Sequence, residues 1–223
     1  MLQSATLKFL KGLKKNNNKP WFEAHRGQYE SARMDFENFI KIILDRHSKK
    51  DVDLRELSPK KCMFRMNRDI RFSKDKTPYK VNFAASMDRG GKKSGFAGYY
   101  FHCEPGNSFM GGGIWMPDKD PVKKIRQEID YCLAEFEKIV TSKKFRSVYP
   151  ELYSGEGIKL SKIPHGFEKD NPAAEYLKFK SWLVLTNLKD SELTSVTLVK
   201  KTLLAFEILQ PFLNFINRAL TSD

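Results

Sequence analysis

The spacing of apolar residues changes twice along this chain, and no other feature limits its fold as strongly. Trp21, His25, Tyr29, Ala32, Phe36, Phe39 and Ile43 recur at three- and four-residue steps, predicting one long helix from about residue 20 to His47 with one face in a core. Asn18 is placed to cap it, with Pro20 tolerated in its first turn. Between 60 and 116 the period shortens to two. Cys62, Phe64 and Met66 alternate with Met63, Arg65 and Asn67, and Val81, Phe83, Ala85 and Met87 repeat the pattern. Residues 96–104 and 109–116 read as two further strands. Val122, Ile125, Ile129, Cys132, Phe136 and Ile139 then restore helical spacing, as do Val196 to Leu220 at the C-terminal end, where Pro211 is expected to kink the helix. Residues 182–188 read as one more buried strand.

Short Gly-, Pro- and Asn-containing connections such as 104–107 favour an antiparallel meander over crossovers. Each segment has one apolar face, and these faces complement one another. The predicted fold is therefore α+β. It is a single domain over 1–223, with an antiparallel sheet from the middle of the chain covered by long N-terminal, central and C-terminal helices. Gly111, Gly112 and Gly113 inside a strand suggest a bulge or the close approach of another backbone or a ligand.

Positive charge is concentrated rather than spread. The chain carries +13, and residues 60–93 hold eleven Lys/Arg against three Asp/Glu, a net +8. A local excess of that size attracts anions instead of merely solvating a surface. Arg65, Arg68 and Arg71 offer planar forks to a phosphate or carboxylate, and Lys76 and Lys80 act as point charges. Asp69 and Asp75 orient these arginines, and two carboxylates cannot neutralise all of the cations. Arg65, Arg68 and Arg71 are thus expected to matter more for binding than for folding.

The block Arg65-x-x-Arg68-Asp69-Ile70-Arg71-Phe72-Ser73-Lys74-Asp75-Lys76-Thr77-Pro78-Tyr79-Lys80 resembles the signature of the DUF2461 family, found in bacteria and fungi. NNKPWFEAHR (17–26) and IPHGFEKDNPAAEYL (163–177) are similar to two further blocks of that family, in the same order. At His165 the family more often has Arg. The resemblance implies an uncharacterised family and no particular reaction, and it favours the 165–167 loop as part of a site.

Catalysis has three candidates. Tyr79 and Lys80 form an acid/base pair if a neighbouring cation lowers the phenol and crowding lowers the amine. His165 stands in an irregular loop that could close over a site. Trp21 fits the apolar stripe and is read as core. His102 and Glu104 share a strand face while Cys103 points away, so neither a zinc site nor a Cys–His nucleophile is expected there. The Gly90–Gly95 loop lacks phosphate-loop order. No metal and no cofactor is expected.

Three widely spaced cysteines suit reduced thiols, and no apolar run approaches the ~20 residues that span a bilayer. The expected setting is the cytoplasm, without membrane contact. The expected partner is an anionic small molecule, phosphate-bearing or nucleotide-like. The alternatives are a nucleic-acid-binding module and an enzyme acting on a phosphorylated substrate.

Overall fold

In the computed structural model, which describes residues 1–221, the chain opens with α1 (Ser4–Lys15), α2 (Lys19–Ala24) and α3 (Arg26–His47). A 3-10 turn (Val52–Leu54) and α4 (Pro59–Cys62) precede the first three strands, β1 (Phe83–Asp88), β2 (Gly98–Cys103) and β3 (Ser108–Ile114). Then come α5 (Lys119–Tyr131), α6 (Leu133–Val140), α7 (Lys143–Arg146) and α8 (Ala174–Leu177), followed by β4 (Trp182–Leu188), α9 (Asp190–Leu193) and α10 (Leu198–Thr221). The strands form one antiparallel sheet in the order β1-β2-β3-β4. No helix among the described residues is long and apolar enough to cross a membrane.

One face of the sheet makes the core. Alternation along the strands turns Phe83, Ala85 and Met87, then Tyr99, Phe101 and Cys103, then Met110, and finally Trp182 and Val184 inward, and all are buried. α3 packs on β1 and α10 crosses β2 and β3, with Phe39 against Phe101 at 4.7 Å and Phe206 against Tyr99 at 4.7 Å between ring centroids. α5 packs against α10, so the central helix covers the sheet chiefly at second hand.

Three expectations need correction. Residues 62–66 do not form a strand. Pro59 starts α4, and Met63 reaches the sheet through a single bridge to Ala85. Met63 and Met66 are both buried and Phe64 is half-buried, so the apparent alternation is not the one that folds. The fourth strand is 182–188, the most distant one in sequence. The helix expected over 20–47 is interrupted at His25, whose ring stacks on Trp21 at 3.9 Å and whose Nδ1 bonds the Trp21 carbonyl at 2.8 Å. A side chain that engages local backbone in this way competes with the helix. Likewise the central helix turns at Cys132, bringing Phe136 to 5.2 Å from Phe215. α10, by contrast, continues as helix through Pro211.

The Asn18 cap is present, its Oδ1 accepting from the Trp21 N–H at 3.0 Å, and Trp21 packs against the core. The three glycines mark a close backbone approach. A Cβ at Gly111 would collide with the Val184 carbonyl, and Gly113 sits at φ +129° against the Trp182 carbonyl.

Candidate functional site

Residues 67–78 are too polar to enter the core and leave the sheet as a loop. The Asn67–Tyr79 bridge closes it, with Arg68 N–H donating to the Pro78 carbonyl at 2.9 Å and Lys80 N–H to the Met66 carbonyl at 2.8 Å. Asn17 clamps its base from outside: its Nδ2 donates to the Tyr79 carbonyl at 2.8 Å and its Oδ1 accepts the Tyr79 N–H at 3.1 Å. The Tyr79 ring stacks on Phe22 at 4.0 Å.

Within the loop most cations face inward. Arg68 bonds the Asp75 carboxylate, the Thr77 hydroxyl and, at 3.2 Å, the Thr77 carbonyl. The Thr77 backbone N–H and then Arg68 hold the Asp75 carboxyl down to about 2. Arg71 grips Asp69 bidentately at 3.0 and 2.7 Å, and Lys76 Nζ donates to the Ile70 carbonyl at 3.0 Å.

Arg65 and Lys80 have another environment. They line an open groove of about 930 Å³ together with Arg33, Lys60, Lys92 and Lys93. Asp69 is the one acid among its lining residues, and Arg71 already holds it. Of the six cations only Arg33 has a carboxylate partner among the described residues, Glu37 at 3.7 Å. Lys80 Nζ lies 5.1 Å from the centre of the Phe64 ring, and burial, helped by the charge of Arg65, lowers its pKa. Lys93 holds a left-handed backbone at φ 77°, uncommon for a residue with a side chain.

A second groove, of about 890 Å³, lies on the outer face of the sheet, and Phe64 and Lys93 belong to the walls of both. Strand register places Asp88, Gly98, Gly113 and Leu183 in one row on this face, and Ser86, Tyr100, Gly111 and Leu185 in the next. Gly98, Gly112 and Gly113 line the groove with backbone alone. Asp88 lies across Gly98, where any Cβ would collide with its Oδ1. That oxygen accepts the Ser86 hydroxyl at 2.5 Å, and no described residue donates to the other. Among the described residues the Asp88 side chain has no cationic partner, and burial raises its carboxyl to about 6. In the third row His102 bonds Tyr100 through Nδ1 at 3.3 Å and Glu104 through Nε2 at 3.2 Å, while Lys14 holds Glu104 at 3.1 Å. The tautomer protonated at Nε2 satisfies both contacts. Burial lowers the His102 pKa against the opposing pull of Glu104, so this relay is built around a neutral imidazole.

The residues singled out in the sequence thus divide. Arg65 and Lys80 line the basic groove, while Arg68, Arg71 and Lys76 bond within the loop beside it. Asp69 and Asp75 do orient arginines. Tyr79 is 6% exposed and burial raises its phenol, opposite to the expected activation by a cation. His165 is exposed and lines neither groove. Among the described residues no three His, Cys, Asp or Glu side chains gather to hold a metal. Arg33 and Asp88 were not singled out. Asp88 had a signal, since period-two spacing from Met87 places it on the outer face of an otherwise apolar strand. Arg33 had none, because only the packing of α3 brings it there.

The molecule is an α+β protein in which one face of a four-stranded sheet carries the core and the other opens toward a basic groove. The chain belongs to the DUF2461 family: the family model, described as "Conserved hypothetical protein (DUF2461)", matches residues 5–215. No curated protein and no solved structure gives a match.

Proposed function

We propose that this protein binds a phosphate-bearing, nucleotide-like ligand, with the phosphates seated in the basic groove. One observation carries the reading: six cations line one groove, and its one acid is already neutralised by Arg71. Like charges gathered without partners repel each other, and an external anion relieves that repulsion. Arg65 supplies a planar fork, and Lys60, Lys80, Lys92 and Lys93 supply mobile ammonium groups. The three free cysteines suit a reducing compartment, and we place this activity in the cytoplasm.

Calorimetric titration with pyrophosphate at low salt tests the reading. Binding is expected, and it should weaken about tenfold in Arg65→Ala and Lys80→Ala, the loss of one charge-assisted contact each. Pyrophosphate that fails to bind, or binds both variants as well as the parent, refutes it.

Nucleic acid is the second reading, favoured by Arg71, Lys74 and Lys76, which extend exposed positive charge beyond the groove. A duplex bound along that extension would show a log–log salt slope of several units, about −0.9 per phosphate neutralised. A flat salt response removes this reading.

A further inference from the structure

We infer that the two grooves are one site for a mononucleotide, its phosphates in the basic groove and a guanine base in the groove of the outer sheet face, with its ring N–H and amino group donating to Asp88. This rests on the phosphate reading above and adds the identity of the base. Phe64 and Lys93 wall both grooves, so the two lie side by side and are near enough for one ligand to reach into both. The outer groove, about 890 Å³, is within the size range of small-ligand sites. Its walls set Phe64, Phe96, Phe109 and Trp115 beside polar side chains that include Ser86, Asp118 and Asn187, a make-up that suits a planar ring with polar edges.

Gly98 and Gly113 line this groove with backbone alone, Asp88 lying across Gly98 and the Trp182 carbonyl against Gly113. Asp88 edges it with an oxygen that no described residue donates to, and no described cation forms an ion pair with it. A carboxylate accepts and cannot donate. It therefore selects a base edge with adjacent N–H donors, which guanine presents at its ring nitrogen and amino group. Adenine and cytosine set an acceptor beside their amino group and would place a lone pair against the carboxylate. A buried polar group left unpaired by the wrong base gives strong discrimination.

The test compares GDP, ADP, ribose 5-phosphate, pyrophosphate and a guanine-containing hexanucleotide on the full chain at about pH 8, where the Asp88 carboxyl is ionised. GDP is expected to bind at least tenfold tighter than ADP, ribose 5-phosphate or pyrophosphate. Asp88→Asn should erase that advantage and leave pyrophosphate affinity within about twofold. Phe96→Ala, on the loop side of the groove, should weaken GDP but not pyrophosphate, and it serves if Asp88→Asn does not fold. GDP no tighter than pyrophosphate overturns this inference and leaves the anion reading intact. So does a GDP advantage that survives Asp88→Asn, or, where that variant does not fold, Phe96→Ala. Pyrophosphate that does not bind, beside GDP binding that depends on Asp88, refutes the anion reading and keeps the base assignment. A hexanucleotide bound tenfold tighter than GDP makes nucleic acid the occupant and overturns the mononucleotide.

Discussion

Arg65 and Arg68 stand three residues apart in one basic block, yet the fold gives them opposite surroundings. Arg68 turns into its own loop, where Asp75, Thr77 and Ser73 all meet it. Arg65 turns toward Lys80 and Lys60, with no carboxylate of its own. The loop cluster is a self-neutralised brace that shapes the chain. The groove cluster stores repulsion that a bound anion would release. Net charge alone does not separate Arg65 from Arg68, because each adds one positive charge to it. What separates them is whether the acids of the same block lie within hydrogen-bond reach.

The largest expected effect is on the brace. Arg68 is only partly exposed and makes several charge-assisted bonds, so Arg68→Ala should cost about 3 kcal/mol in a denaturant titration. A loss under about 1 kcal/mol would show that the loop keeps its shape without it, and the comparison would collapse.

Next comes Asp88, a buried acid with no ion-pair partner among the described residues. The Asp88 carboxyl is raised to about 6 from an ordinary 3.8, so the folded state holds its proton more tightly than the unfolded chain does. Stability is therefore lost as pH rises from about 4 through about 6, and Asp88→Asn should recover about 2 kcal/mol at neutral pH. Asp75 has the opposite sign. Its carboxyl is depressed to about 2, so its contribution is complete above 3.8 and fades as pH falls from there toward about 2. Asp75→Asn should flatten the acid limb of the stability curve and leave the region near pH 6 unchanged. Identical pH profiles for the two variants would mean that the two aspartates do not differ as described.

A smaller stability effect is expected in the groove. Arg65→Ala should lower pyrophosphate affinity about tenfold and change unfolding free energy by less than about 1 kcal/mol, as substitutions away from the core usually do. Loss of folding instead would make Arg65 a brace like Arg68. The smallest effect belongs to Arg71, which is exposed and paired only with Asp69. Arg71→Ala should leave the denaturation midpoint unchanged, and a clear shift would extend the brace to the loop tip.

Much of this architecture is readable from local pattern. Period two over 83–87 and 98–103, helical spacing over 26–47 and 198–220, and the Asn18 cap each depend on residues close together in sequence, where propensity and patterning agree. The strand expected at 62–66 failed for a tertiary reason: Met63 and Met66 are both buried, one at the sheet edge and one under the loop. Position in the chain also concealed β4, which reaches β3 only after more than sixty residues of helices and loops, although its own apolar run marked it as a strand.

The site shows the same division more sharply. The sequence alone determined that residues 60–93 concentrate positive charge and that two aspartates there would orient arginines, because counts and near neighbours need no fold. Only the tertiary structure decided which cations gather in the groove. Arg33 arrives from α3, Lys92 and Lys93 from the loop after β1, and Arg65 and Lys80 from the two ends of a loop closed by the Asn67–Tyr79 bridge. Asp88 likewise lies in one row with Gly98 and Gly113 only because β1 pairs with β2 and β2 with β3. Cross-strand neighbours are fixed by register, and register is set by the packing of a whole face rather than by any one segment.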